Sequence, residues 1–208
     1  MYEVLDNFLS EEQFKNIQRW GLQRKLDDHR DWPRYLIKND GVDINKPMTF
    51  EGFNYMNKAG SEILEQLQEK IIEYLNDNVD KYKLVPSNGN LTDFVSDIYR
   101  YRKGDGILLH RDSDGVETYG KRYGISFYLN DEWNPNWGGE SLIYKTYGKN
   151  KYHNNIPKDL YSISSIIPKR NRLVIIDGLW HRVYPNMNPN LDRVVIQSFM
   201  IVKKKTNQ

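Results

Sequence analysis

The chain places a histidine and an aspartate two residues apart, in His110-Arg111-Asp112, and follows them far downstream with His181 and Arg193. Residues at i and i+2 point to the same face of a β-strand, so His110 and Asp112 can converge on one ion from a strand end. His181 would complete a set of two imidazoles and one carboxylate on one side of a metal, leaving the opposite positions open. That is the ligand set of non-heme Fe(II) sites that activate O₂. The triplet alone is a weak signal: with 4 His and 17 Asp in 208 residues, chance produces it in roughly one such chain of three. Its surroundings must carry the reading. Asp114 is read as part of an Asp-Gly turn with Gly115, and His29 and His153 as surface or supporting histidines rather than ligands.

Composition narrows the chemistry. With no cysteine there is no disulfide framework, zinc finger, iron–sulfur cluster or thiol nucleophile, so a metal can be held only by His, carboxylates and neutral oxygens. A net charge of +2 from 30 basic and 28 acidic residues does not indicate a nucleic-acid partner, and Lys203-Lys204-Lys205 reads as a solvated tail. The longest purely aliphatic run, Leu173-Val174-Ile175-Ile176, is far too short to cross a bilayer. Met1 to Asp6 lack the basic-then-apolar profile of a signal peptide, so a soluble, cytoplasmic protein with no membrane partner is expected. Abundant Tyr, Asn and Lys beside sparse Ala fit an AT-rich coding genome, such as a viral one.

The elements that must position these residues are legible in outline. A chain of 208 residues can bury one sizeable core, and no Gly/Ser/Pro-rich linker divides it, so residues 1–208 read as a single domain with helical support over 1–90 and a core over 91–202. Ser10 before Glu11-Glu12-Gln13-Phe14 is an N-cap with acidic residues in the first turn, opening a helix through Phe14, Ile17 and Trp20. Ile63, Leu64, Leu67, Ile71, Ile72, Leu75 and Val79 form one apolar stripe across a second helix over 57–79. After Pro86 the texture becomes β-rich, with strands near 94–101, 106–111, 122–130, 140–146, 161–168, 172–177, 180–184 and 193–202. Eight short strands with turn-rich loops suit a mainly β fold, a double-stranded β-helix or cupin-like jelly roll, buttressed on one outer face by the N-terminal helices. Within 122–130, Tyr123, Ile125, Phe127 and Leu129 share one face that should pack on a helix, while Gly124, Ser126 and Tyr128 face a pocket.

Residues 94–202 resemble the prolyl-hydroxylase branch of the Fe(II)/2-oxoglutarate-dependent dioxygenases, with a weaker echo at the N-terminus. Tyr99-Arg100-Tyr101-Arg102-Lys103-Gly104 leading into His110-Arg111-Asp112 is similar to the family's strand and metal-binding loop. Tyr128-Leu129-Asn130-Asp131-Glu132-Trp133 is similar to a following strand end, and Gly138-Gly139-Glu140-Ser141-Leu142 resembles its Gly-Gly-Glu-Leu turn with Ser141 inserted before Leu142. Arg172 to Asp177, then His181-Arg182-Val183-Tyr184-Pro185, resemble the final aliphatic strand and distal ligand segment, with Asn186 to Asn190 as an apparent insertion before Arg193.

The resemblance implies that His110, Asp112 and His181 bind Fe(II). It implies that Arg193 pairs with the distal carboxylate of 2-oxoglutarate, a task suited to a planar guanidinium fork. It further implies that Tyr128 donates to that carboxylate and that Tyr101 lies near the iron-proximal end of the cosubstrate, with Tyr99 competing for the place. O₂ would be consumed and ascorbate would serve as reductant. The implied reaction hydroxylates a prolyl residue in a protein or peptide and releases succinate and CO₂. Halogenating relatives replace the carboxylate ligand with a small residue, so Asp112 favours hydroxylation. A small molecule or nucleobase as substrate would use the same core, because specificity would reside in loops 29–56, 113–121 and 147–160. Trp133, Trp137 and Trp180 are read either as lining the substrate entrance or as bulky packing. A non-catalytic metal-binding jelly roll is the alternative from another class, and a cupin-like isomerase would not need Arg193.

Overall fold

The Ser10 hydroxyl accepts from the Gln13 backbone N–H at 3.3 Å while the Gln13 side chain accepts from the Ser10 N–H at 3.2 Å, a reciprocal cap that starts helix α1, Glu11–Leu22. The computed structural model describes residues 1–23, 36–37, 50–51, 61–78, 94–112, 121–146 and 159–202. The second helix, α2, is described over Ser61–Asp77, and Leu64, Leu67, Ile71 and Leu75 of the expected stripe are buried along it. Val79 and the start of the expected 57–79 helix lie outside the described residues. No helix of the described residues is long and apolar enough to cross a membrane.

The strands form two antiparallel sheets. Tyr2–Leu5 (β1), Phe50–Glu51 (β3), Phe94–Tyr101 (β4), Lys121–Tyr128 (β6), Leu173–Asp177 (β9) and Arg193–Val202 (β11) make the larger, in the order β1-β9-β6-β11-β4-β3. Leu36–Ile37 (β2), Gly106–His110 (β5), Ser141–Thr146 (β7), Leu160–Ile166 (β8) and Trp180–Val183 (β10) make the smaller, in the order β2-β5-β10-β7-β8. This is the expected jelly roll. The stretch before residue 91 is more than helical support, because β1 adds an edge to β9 in the register Tyr2↔Ile176 through Leu5↔Leu173.

Strict alternation along β6 divides the apolar residues between two cores. Tyr123, Ile125 and Phe127 turn outward to join Phe14, Ile17, Leu67 and Ile71 beneath the helices. Phe127 makes edge-on contacts with Phe8 and Phe14 at 6.4 and 6.1 Å between ring centroids, and burying a ring of that size is worth about 1.5–3 kcal/mol. A polar pin fixes the helix on the sheet: buried Gln68 donates to the Ser96 hydroxyl, which shares a 2.7 Å hydrogen bond with Ser198. The opposite face looks into the space between the sheets, where Tyr99, Tyr101, Tyr128, Val174, Ile176 and Val195 meet Ile143, Ile166 and Val183. That space holds the polar residues of interest.

Candidate functional site

His110 ends β5, and β10 lies beside it with His181 directly opposite His110 in register, followed by an irregularity before Val183. Side chains opposite each other in an antiparallel pair stand close, and here the two imidazole centroids are 4.2 Å apart. Asp112, two residues beyond β5, turns its carboxylate to both. Its Oδ1 is 3.4 Å from His110 Nε2 and its Oδ2 is 3.5 Å from His181 Nε2. One ligand atom from each residue falls within 4.8 Å of the others, and among the described residues this is the group able to hold a metal ion. Asp114, His29 and His153 lie outside the described residues.

The backbone prepares His181 for this arrangement. Its Nδ1 is 2.9 Å from the Leu179 carbonyl oxygen, which can only accept, so Nδ1 carries the proton and Nε2 turns its lone pair to Asp112 and His110. Burial holds its pKa below the ordinary histidine value, against the opposing pull of the Asp112 charge. A neutral imidazole is the form that ligates metal.

The second half of the site lies on the larger sheet. Arg193 opens β11 opposite Tyr101 of β4 and is only 1% exposed. Its guanidinium carbon sits 4.5 Å from the Tyr101 ring centroid and 5.0 Å from that of Tyr128, and Nη2 donates to the Tyr128 hydroxyl at 3.4 Å. Nε and Nη1 are buried with no hydrogen-bond partner, and no carboxylate pairs with this cation among the described residues. A desolvated guanidinium without a counter-ion costs several kcal/mol, so the pocket is built for an anion. A dicarboxylate such as 2-oxoglutarate fits that donor set, and two imidazoles with a carboxylate fit Fe(II).

Burial pushes the Tyr101 hydroxyl up to about 12, despite the nearby Arg193 charge, so it remains a neutral donor. Tyr101 thus stands at the arginine end of the pocket, with Tyr99 stacked on it at 6.2 Å. Ser141 belongs to the same pocket. It occupies an inward, buried position of β7, and its hydroxyl lies 3.2 Å from that of Tyr128. It is the first residue of β7, and the inward alternation of Ser141 and Ile143 is the signal that would have found its place in the pocket. Gly139, with φ of +72°, lets the chain pass Arg193: an added Cβ would press on Arg193 Cδ and the Trp133 ring, each at 3.0 Å. Trp133 donates to the Gly138 carbonyl and meets Trp137 edge-on, so it packs the turn that supports Arg193. Trp180 is buried as packing. The apparent insertion is stapled by Asn186, whose side chain donates to the Tyr101 and Leu191 carbonyls at 2.9 Å each and accepts from the Asn188 N–H.

The family model described as 2OG-Fe(II) oxygenase superfamily matches residues 96–201. The chain belongs to that superfamily. It is thus a 2-oxoglutarate- and Fe(II)-dependent oxygenase, and its two antiparallel sheets make a jelly-roll fold. Among solved structures, a prolyl-4-hydroxylase from Pseudomonas putida is similar with a TM-score of 0.61 at 13% identity, over 97% of this chain and 92% of that one. A Trichoplax adhaerens prolyl hydroxylase, solved with a hypoxia inducible factor oxygen degradation domain peptide, gives 0.59 at 18% identity, covering 97% and 83%. A 2OG-Fe(II) oxygenase family oxidoreductase from Burkholderia pseudomallei gives 0.62 at 12%, covering 99% and 89%. These likenesses show the fold. None of the curated proteins matches the chain by sequence.

Proposed function

We propose that this oxygenase holds Fe(II) through His110, Asp112 and His181, seats 2-oxoglutarate on Arg193, Tyr128 and Tyr101, and hydroxylates a prolyl residue in a protein or peptide. The observation that carries the reading is Arg193: a buried cation whose Nε and Nη1 lack partners, reached across the inter-sheet space from the His-Asp-His group. When bound, the iron with 2-oxoglutarate and O₂ would supply the oxidative chemistry, one oxygen atom of O₂ going into succinate as CO₂ is lost and the other into a C–H bond of the substrate.

The chain's own residues do the rest by binding and orienting. The Leu179 carbonyl keeps the proton on Nδ1 of His181 and Nε2 free to ligate. Arg193 neutralises the distal carboxylate, Tyr128 donates to it, and the Tyr101 and Tyr99 rings keep water from the guanidinium. Residues 1–208 act together as one domain. The prolyl assignment draws on the motif resemblance and on the peptide held by the Trichoplax neighbour.

The test is succinate release from 2-oxoglutarate with Fe(II), ascorbate and air, with proline-containing peptides added and with Asp112→Ala as control. Peptide-stimulated succinate with the mass of one oxygen gained on proline is expected, and Asp112→Ala should abolish both. Stimulation by a small molecule or nucleobase, with no oxygen gained on any proline, refutes the prolyl assignment. Succinate release unchanged in Asp112→Ala refutes the site.

A further inference from the structure

Gly124 sits in the middle of β6, where glycine weakens a strand and its φ does not enter the left-handed region. Backbone conformation therefore does not explain it. Space does: a Cβ built on Gly124 would collide with Asp112 Oδ2 and stand 3.2 Å from Asp112 Cγ, and its next neighbour is Gln197 Nε2 at 3.8 Å. The Asp112 carboxylate meets the bare backbone of the larger sheet through its Oδ2, with its two oxygens turned to the two histidines of the smaller.

We infer that Gly124 is a positioning residue for the metal centre, its missing side chain forming the seat against which Asp112 is held at ligating distance. This rests on the assignment of His110, Asp112 and His181 as metal ligands. A methyl group at position 124 forces the carboxylate to retreat by on the order of 1 Å to regain van der Waals contact. A shift of that size is enough to spoil a ligand set or a reacting geometry by one to two decades. Ser126, two residues along the same face, donates its hydroxyl to Gln197 Oε1 at 2.6 Å rather than to Asp112, so it serves as control.

The experiment titrates purified Gly124→Ala with Mn(II), followed by electron paramagnetic resonance, and records the Co(II) absorption spectrum, beside the parent, Ser126→Ala and His181→Ala. Expected are a 10- to 100-fold weaker Mn(II) affinity and an altered Co(II) spectrum in Gly124→Ala, with Ser126→Ala like the parent. Affinity within twofold of the parent and an unchanged spectrum overturn the inference. If parent and His181→Ala bind Mn(II) alike, the ligand assignment itself has failed. Melting of the metal-free proteins separates seating from folding: any loss caused by Gly124→Ala should disappear in an Asp112→Ala background, where nothing remains in collision with the added methyl. A loss that persists there means the glycine serves the strand and not the carboxylate, and overturns the inference.

Discussion

Replacing Arg193 with methionine should separate cosubstrate binding from both metal binding and folding. In the ligand-free protein the guanidinium has two opposing terms. Each buried N–H left without an acceptor costs about 1–3 kcal/mol, and Nε and Nη1 are both in that condition. The Tyr101 and Tyr128 rings return about 0.5–2 kcal/mol each. The unpaired donors match or outweigh the rings, so Arg193→Met should leave the ligand-free melting temperature unchanged or raise it. Had Arg193 been one half of a buried ion pair, its removal would cost about 3–5 kcal/mol. The cosubstrate-bound protein is different, because the carboxylate would be left buried and unpaired at a cost of about 2–5 kcal/mol, or roughly 30-fold to several thousand-fold in affinity. Thermal melting with Mn(II) and graded 2-oxoglutarate reads both quantities. The parent should gain about 5–10 °C at a concentration 100 times its Kd, and the variant almost nothing. An equal gain in the variant, or loss of Mn(II) affinity in step with 2-oxoglutarate affinity, would refute the division of labour between the two halves of the site.

His181→Ala should lower Mn(II) affinity by at least a hundredfold while leaving the strand pairing intact, checked by metal titration beside circular dichroism. Ser141→Ala should weaken 2-oxoglutarate about 2- to 10-fold through loss of the hydrogen bond that orients the Tyr128 hydroxyl, with Mn(II) affinity unchanged in the same titrations. Asp6 accepts from Arg172 at 2.6 and 3.1 Å and from Lys169 at 2.7 Å, and chiefly the Arg172 bonds lower its pKa from 3.8 to about 2. Because the folded pKa lies below the unfolded one, this contribution is complete above about pH 4 and is lost as the pH falls towards 2. The group is about a third exposed, so Asp6→Asn should cost no more than about 1 kcal/mol at neutral pH, and melting curves of parent and variant should converge near pH 2.

Much of this was legible in the amino-acid order because the relevant signals are periodic or local. The strands Phe94–Tyr101 and Arg193–Val202 fall where β-rich alternation puts them, and the Ser10 cap marks α1 from four residues. The His-x-Asp spacing and the distant histidine pointed to one ion, and the structure brings the three together. Tyr2–Leu5 was missed because four residues are too few for a period to show, and they become a strand only when β9 offers its edge. Alternation put Gly124 on the pocket side of its strand, but what Gly124 and Ser141 touch there was hidden for a different reason. A hydroxyl reaching Tyr128 and a carboxylate resting on bare backbone are products of how two sheets face each other, and no window of sequence holds both partners.

The two halves of the site belong to different layers: His110 and His181 project from the smaller sheet, while Arg193, Tyr128 and Tyr101 project from the larger. A ligand that touches both is therefore a rivet through the sandwich. Loading should quench the breathing of one sheet against the other, and amide hydrogen exchange ought to slow in β5, β10 and β11 together, although β11 belongs to a different sheet from the paired β5 and β10. An empty molecule would then open most readily along its own active site, so that substrate access and conformational looseness are one property of the fold.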